Sequence, residues 1–178
     1  MSYKYTIALS FATEDQSLVE KVYHYLNAEK ISVFFAPAPE CQIALSGKNQ
    51  REVFYDIFGL NSEYVALFVS NNYITREVPM EEASIAFAKH SSDSSAIPIY
   101  LDGTPLPSNI LNPKSTNYFK SNDPAAIASH IAGKIKPSND TNKETSVSVV
   151  EPNNVMNIKG NRAEKQIFIQ TLKGNIEL

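Results

Sequence analysis

The sequence predicts an α/β fold in which a parallel sheet of five strands carries helices on both faces, followed by a short β-rich tail. Two observations carry this prediction. Apolar runs of strand length alternate with segments whose apolar residues recur at helical spacing, and such alternation is typical of parallel sheets. The third run, Tyr64 to Ser70, is apolar almost throughout, as expected of a strand that is covered on both sides.

The first predicted strand and helix form one β–α unit. Tyr5 to Ser10 is the strand, and Thr13 to Gln16 has the pattern of a capping box, in which a threonine and a glutamine satisfy free N–H groups at a helix start. The helix that follows is amphipathic. Its predicted apolar stripe consists of Leu18, Val22, Tyr25 and Leu26.

The second unit begins with a predicted strand at Ile31 to Phe35. Polar, proline-marked residues 36–47 predict a loop. A helix is expected from about Lys48 and should end at Gly59, since glycine is common just past a helix terminus. The apolar face of this helix consists of Val53, Phe54, Ile57 and Phe58.

The last elements of the sheet are shorter. Ala96 to Leu101 predicts the fourth strand, where Pro98 indicates an irregularity or an edge. Residues 117–120 predict a fifth strand. Asp123 and Pro124 then form a cap and a first-turn proline, and the helix that they begin carries on one face Ile127, Ile131 and Ile135.

The chain of 178 residues is long enough for one such domain and a tail. We predict a domain over residues 1–136, a polar linker over 137–146 and a β-rich tail over 147–178. So short a sheet cannot bury enough surface to be stable alone. We therefore expect the tail to pack on the domain, on a copy of itself or on a partner, with disorder as the alternative.

Composition excludes several classes of function. A formal charge of −3 supplies no basic surface for nucleic acid. The single cysteine, Cys41, excludes an internal disulfide, and the start of the chain lacks the apolar region of a signal peptide. No segment approaches the roughly 18 apolar residues of a membrane span. The expectation is a cytoplasmic protein.

Ligands of an open parallel sheet bind at the carboxyl ends of its strands. Here those ends carry Ser10 and Phe11, Phe35 and Ala36, and Ser70. A phosphate-accepting receiver domain needs an aspartate at the end of its third strand, where Ser70 stands, so that class is excluded. Nucleotide-binding glycine loops are also absent, because the chain has no G-x-G-x-x-G and its Ser-Gly-Lys run lacks the earlier glycine of a P-loop.

Two adjacent glutamates follow Pro79, which suits the first position of a helix. At 100° per residue, Glu82 borders the apolar side of this helix, whereas Glu81 points nearly the opposite way. The helix dipole alone accounts for Glu81. Glu82 is the candidate for chemistry. The apolar side of the helix consists of Met80, Ala83, Ala86 and Phe87.

No metal site is predicted. His24, His90 and His130 lie far apart, each in a predicted helix, without cysteine or histidine at metal-ligand spacing. Cys41 has no basic partner that would activate its thiol, so an inert cysteine is expected.

Five segments, in this order and spacing, resemble a bacterial TIR (Toll/interleukin-1 receptor) domain over about Tyr3 to Lys136. The segments are residues 7–15, 33–35, 45–49, 65–70 and 73–82. The resemblance implies a flavodoxin-like parallel sheet and identifies residues 36–47 with the mobile BB loop of the family. It also implies cleavage of the nicotinamide–ribose bond of NAD⁺, which is a substrate, without any cofactor.

The resemblance further implies which residues form the site. In catalytic members a glutamate lies nine residues after an aromatic that follows the third strand, and Glu82 stands nine residues after Tyr73. The implied role of Glu82 is catalytic, since a fixed carboxylate stabilises the positive charge that develops on the ribose. The implied substrate-binding positions are Ser10, Phe11, Ala12, Phe35, Ala36, Ser46, Gly47, Tyr73 and Val78.

Three positions depart from the pattern of the enzymes. Val78 replaces a tryptophan that stacks on the nucleotide, Ala36 replaces an aspartate, and Ser46 replaces a tryptophan. Losing one stacking partner forfeits on the order of 1–3 kcal/mol of binding. The change lowers affinity without removing the mechanism.

The resulting functional prediction is a prokaryotic immune effector against phage, which hydrolyses or cyclises NAD⁺ after self-assembly. TIR–TIR contacts through residues 36–47 would complete the site, and the tail would bind a further copy or a separate sensor protein. The alternative is a non-catalytic module that signals by TIR–TIR docking alone. Linear and cyclic ADP-ribose products both remain open.

Overall fold

A computed structural model describes residues 3–90, 92, 94–111 and 117–136. These belong to the first of two compact units, Met1–Asn139. The predicted linker, residues 137–146, and the predicted β-rich tail, residues 147–178, lie outside the described residues. Most of this stretch belongs to the second unit, Asp140–Leu178. The proposed domain boundaries therefore stay predictions.

Five parallel strands form the sheet in the order β2-β1-β3-β4-β5. This is the flavodoxin-like order, so the predicted fold class is confirmed. Four consecutive residues of the first strand, numbers 7–10, are buried, which shows that both faces of the sheet are covered. The strands are β1 Tyr5–Phe11, β2 Val33–Phe34, β3 Ser62–Val69, β4 Ala96–Tyr100 and β5 Phe119–Lys120.

In the described ranges, six α-helices surround the sheet. Helix α1 packs against α6, whereas α5 packs against a π-helical turn at Tyr55–Asn61 and against β1, β3 and β4. The helices are α1 Gln16–Ala28, α2 Pro39–Leu45, α3 Gln50–Phe54, α4 Asn71–Thr75, α5 Glu77–His90 and α6 Pro124–Ile135.

Two sequence predictions about helix ends and one about a helix face were wrong. Thr13–Asp15 forms a 3₁₀ turn, and the residues that cap it and α1 make no side-chain capping bond, so there is no capping box. On α1, Val19 is buried in place of Tyr25, which is half exposed. Gly59 does not end a helix, because the π turn continues past it to Asn61 and brings Gly59 against the side chain of Ile85.

Residues 36–47 contain a helix where the sequence predicted only a loop. Pro39 occupies the first turn of α2, a position that tolerates its missing N–H. Gly47 then adopts a φ of +75°, in the left-handed region that favours glycine. The segment therefore leaves β2, forms two helical turns and reverses at Gly47.

The predicted start of α6 is confirmed in detail. The carboxylate of Asp123 accepts hydrogen bonds from the backbone N–H groups of Ala125 and Ala126, at 3.2 and 3.3 Å. Pro124 occupies the first turn. A carboxylate cap and a proline that needs no partner together satisfy the free end of the helix.

Pro98 lies in a strand that has neighbours on both sides. The backbone N–H of Leu101 donates to Val69 and that of Val65 donates to Ser95, so odd-numbered residues of β4 bond to β3. Pro98 therefore faces the side of β5. Pairing with β5 begins only at Ile99, and the missing N–H of the proline costs no described hydrogen bond.

Candidate functional site

Glu82 lies on the buried face of α5, where the sequence placed it. The helix begins at Glu77, two residues earlier than expected, so that Pro79 is its third residue. Glu82 is 8 % exposed, and it is the one buried carboxylate among the described residues. The small residues Ala83 and Ala86 on the same face are fully buried, which lets α5 approach the sheet closely.

Two hydroxyl groups connect Glu82 to the sheet and to α4. Ser10, near the carboxyl end of β1, donates a hydrogen bond of 2.6 Å to Oε2 of Glu82. The same Ser10 hydroxyl lies 2.6 Å from the phenol oxygen of Tyr73. Tyr73 is fully buried. The three polar side chains thus meet at the strand end where the open-sheet rule places a ligand.

Burial dominates the electrostatics of Glu82. Loss of hydration raises the pKa of its carboxyl from 4.5 to about 8, the Ser10 hydrogen bond opposes the rise, and the nearby charge of Glu81 adds to it. A carboxyl with a pKa so far from its ordinary value, next to a cavity, is typical of a functional site.

A cavity of about 740 Å³ opens beside Glu82. Its volume lies within the roughly 300–1,000 Å³ of small-molecule sites. Phe11 forms part of the wall and stacks on Phe35, with ring centroids 5.4 Å apart. Phe35 in turn stacks on Tyr23 at 4.8 Å. Phe54 and Phe58 also line the cavity, but the stack of Phe11, Phe35 and Tyr23 supports Phe11 from the protein interior.

The structure brings four predicted residues to this cavity and places the others elsewhere. The cavity is lined by Phe11, Ala36, Val78 and Glu82. Ser10, Ala12, Phe35 and Tyr73 are buried behind it, and Gly47 lines a separate cavity with Lys48 and Asn49. Ser46 is exposed. A substrate-binding role for these residues stays a prediction.

Comparison with known proteins gives this site its context. Residues 7–131 match the family model described as TIR domain. The chain belongs to the TIR domain family. It is also similar to the 3' cyclic ADP-D-ribose synthase AaTIR of Aquimarina amphilecti, with 31% identity over 137 residues, which is 76% of this chain. The chain spans 41% of the length of that relative. The resemblance expected from the sequence is confirmed.

The sequence did not predict several polar side chains that line the cavity beside Glu82. Gln42 of α2 lines it and donates a hydrogen bond to the backbone carbonyl of Ala36. Lys48 reaches it from the turn after Gly47. Gln42 lies in the segment that was expected to be a loop and Lys48 at the expected start of the next helix, so no periodic signal pointed to either of them. The remaining polar side chains of the wall are Thr13, Gln16 and Gln50.

A second polar cluster holds the start of α4 in this TIR domain. Ser70 donates to Oδ2 of Asp15 at 2.6 Å and accepts from the backbone N–H of Tyr73 at 3.1 Å. Burial raises the pKa of Asp15, and the Ser70 hydrogen bond opposes that rise. Arg76 forms an ion pair with Glu14, and the pair joins the 3₁₀ turn after β1 to the residue before α5.

His90, His130 and Cys41 all pack against other residues of the domain. His90 is buried and bonds through its ring nitrogens to the hydroxyl of Ser95 and the carbonyl of Phe58. The ring of His130 stacks on Phe119. Burial raises the pKa of the Cys41 thiol. Among the residues that the structure describes, no three metal-ligating side chains gather in one place, and no helix is long and apolar enough to cross a membrane.

Proposed function

We propose that this TIR domain cleaves the bond between nicotinamide and ribose in NAD⁺, with Glu82 as the catalytic residue. The observation that carries the proposal is a buried carboxylate at the wall of a cavity large enough for a nucleotide. The similarity to a cyclic ADP-ribose synthase supports the same class of substrate.

The chemistry needs one carboxylate. When the C1′–N bond breaks, its electron pair goes to nicotinamide, which leaves uncharged, and positive charge develops on the ribose. Glu82 stabilises that charge, as a carboxylate does in glycoside cleavage. Either water or a hydroxyl of the same nucleotide then attacks C1′ and loses its proton. The first attack yields linear ADP-ribose and the second a cyclic product.

Phe11 is the proposed stacking surface for an aromatic ring of the substrate. It lines the cavity together with Ala36 and Glu82, and the ring of Phe35 stacks on it. Val78 lines the same cavity and is 38% exposed. Val78 therefore offers an aliphatic contact at the start of α5 to a substrate in the same cavity.

We further propose that the enzyme works as an assembly of TIR domains in immune signalling against phage. Support for the assembly comes from α2, where the side chain of Ile43 is 79% exposed. This helix lies in residues 36–47, and residues on both sides of Ile43 line the cavity. A second copy that covers α2 would bury Ile43 and reduce the access of water to the site.

Chromatography of NAD⁺ incubated with the full chain tests the proposal. We expect nicotinamide and ADP-ribose, linear or cyclic, to form, and their rate of formation per molecule to rise with protein concentration or a crowding agent. Absence of nicotinamide at every concentration, from folded protein, would contradict the enzymatic proposal. In that case the exposed α2 would favour the alternative of a non-catalytic docking module.

A further inference from the structure

Tyr73 and Ser10 form a hydrogen-bonded path to Glu82 that the proposed chemistry does not by itself require. Tyr73 is fully buried, and within the described ranges its phenol has one hydrogen-bonding partner, the Ser10 hydroxyl. Burial, and then the charge of Glu82, raise the pKa of Tyr73 well above 10. The phenol therefore keeps its proton at any physiological pH.

The path has one direction. Ser10 has a single hydroxyl proton and donates it to Oε2 of Glu82. Tyr73 must then be the donor to Ser10. In the opposite arrangement, Ser10 would donate to Tyr73, and the phenol proton would lack an acceptor in a fully buried place, which costs free energy. Tyr73 donates to Ser10 and Ser10 donates to Glu82.

We propose that Ser10 and Tyr73 are positioning residues, which hold Oε2 of Glu82 as a hydrogen-bond acceptor and present Oε1 to the substrate. Among the described residues no hydrogen bond is made to Oε1. Protonation of the carboxyl is thereby directed to Oε1, since Oε2 already accepts a proton from Ser10. The role in catalysis rests on the proposed cleavage of NAD⁺, whereas the directed path rests on geometry alone.

The hydrogen bond from Ser10 opposes the effect of burial. It favours the ionised carboxylate, which is the form that stabilises positive charge on a ribose. Of the ionisable groups nearby, Glu81 raises the pKa of Glu82, and Arg51 pairs with Glu81 at 2.7 Å. Lys48 lines the same cavity. Ser10 is therefore the group in direct contact that makes ionisation of Glu82 easier.

The path is anchored at its far end. The backbone N–H of Tyr73 donates to Ser70, whose hydroxyl donates to Asp15. Ser70, Tyr73 and Ser10 are thus linked by a series of hydrogen bonds. The series runs from Asp15 in the 3₁₀ turn to the carboxylate of Glu82. This arrangement explains why a tyrosine with no exposed surface stands nine residues before Glu82.

Carboxyl ¹³C NMR of protein labelled at glutamate tests the proposal without relying on activity. In Ser10→Ala the titration of Glu82 should move upward by about one pH unit, the effect of losing one hydrogen bond to a charged group. Tyr73→Phe, which keeps the ring and loses the hydroxyl group that donates to Ser10, should give a smaller upward move. Ser62→Ala is the matched control, because Ser62 is a fully buried serine whose hydroxyl has no hydrogen-bond partner in the described part of the chain.

Kinetics give the second measurement. In Ser10→Ala, kcat/KM for NAD⁺ should fall about tenfold at pH 7 and recover toward the wild-type value as the pH rises above 9. If Glu82 titrated alike in wild type, Ser10→Ala and Tyr73→Phe, the path would be structural only and the proposal overturned. Should Ser10→Ala not fold, Tyr73→Phe decides alone. A wild type without activity would contradict the enzymatic function and leave the NMR test standing.

Discussion

The two sides of the first turns of α5 carry the same residue type in opposite surroundings. Glu81 lies at the surface, where its carboxylate accepts a hydrogen bond of 2.7 Å from Nε of Arg51. Glu82, one residue later, is buried and bonded to an uncharged hydroxyl. A helical step of about 100° produces the whole difference.

The difference shows what the proposed catalytic role of Glu82 demands of the fold. An exposed ion pair such as that of Glu81 contributes little to stability. A buried carboxylate without a cationic partner lowers stability and is retained where chemistry requires it. Substituting Glu81 and Glu82 separately tests how much of the difference in activity and stability is due to burial.

The largest expected effect is on catalysis. Glu82→Gln keeps the shape of the side chain but cannot offset positive charge on the ribose, so nicotinamide release should fall at least about 10²–10³-fold. Glu81→Gln, the matched control, should stay within about twofold of wild type. An equal loss of activity in both variants, at unchanged folding, would refute the assignment of Glu82.

The next effect is on stability and depends on pH. The folded-state pKa of Glu82 is about 8 against an ordinary value of 4.5. Stability from the neutral carboxyl is therefore fully present below pH 4.5 and is lost as the pH rises through about 8. Compared with wild type, Glu82→Gln should gain on the order of 3 kcal/mol in unfolding free energy between pH 5 and pH 8.

Urea unfolding of both glutamine variants at several pH values measures this gain. Glu81→Gln should follow the wild type across the range, because its partner lies at the surface. A constant difference between Glu82→Gln and wild type at every pH would show that Glu82 is ionised in the folded protein well below pH 8.

The smallest expected effect concerns the residue four positions before Glu82. Val78→Trp should add an aromatic surface to the cavity wall and lower KM for NAD⁺ about fivefold, taking about 1 kcal/mol for one stacking contact. The gain should leave kcat unchanged, since the contact exists equally in ground and transition states. Glu77→Trp places the same ring four residues before Glu81 and should leave KM unaltered. Equal KM values in both variants would remove Val78 from the binding site.

Local signals in the sequence were sufficient wherever neighbours along the chain decide the structure. Asp123 and Pro124 predicted the start of α6 because a cap involves only the next three residues. Likewise, helical periodicity placed Glu82 at the border of the apolar face of its helix, and the resemblance to TIR domains singled out the same residue by its spacing from Tyr73. A helix cap and the face on which a helical residue lies both depend on neighbours along the chain, so the sequence pattern contains them.

Interactions between distant segments left no such signal. Ser10 bonds to Tyr73 and Glu82 across 63 and 72 residues, and the serine itself looked like any polar residue at a strand end. The helix Pro39–Leu45 was missed because proline and polar residues also predict a loop. Gly59 was taken for a helix end, whereas its contact with Ile85 shows that close approach to α5 is what requires a small residue there.

Pro98 removes a backbone donor from a buried part of the sheet. Strand β5 has two residues, so no described strand pairs with residues 96–98 on the outer side of β4. Pro98 is buried, and a buried backbone N–H without a partner costs free energy. Any other residue at this position would direct an N–H toward the side of β5, beyond the reach of its pairing. The proline that the sequence signalled as an irregularity thus avoids an unsatisfied donor in the interior of the domain.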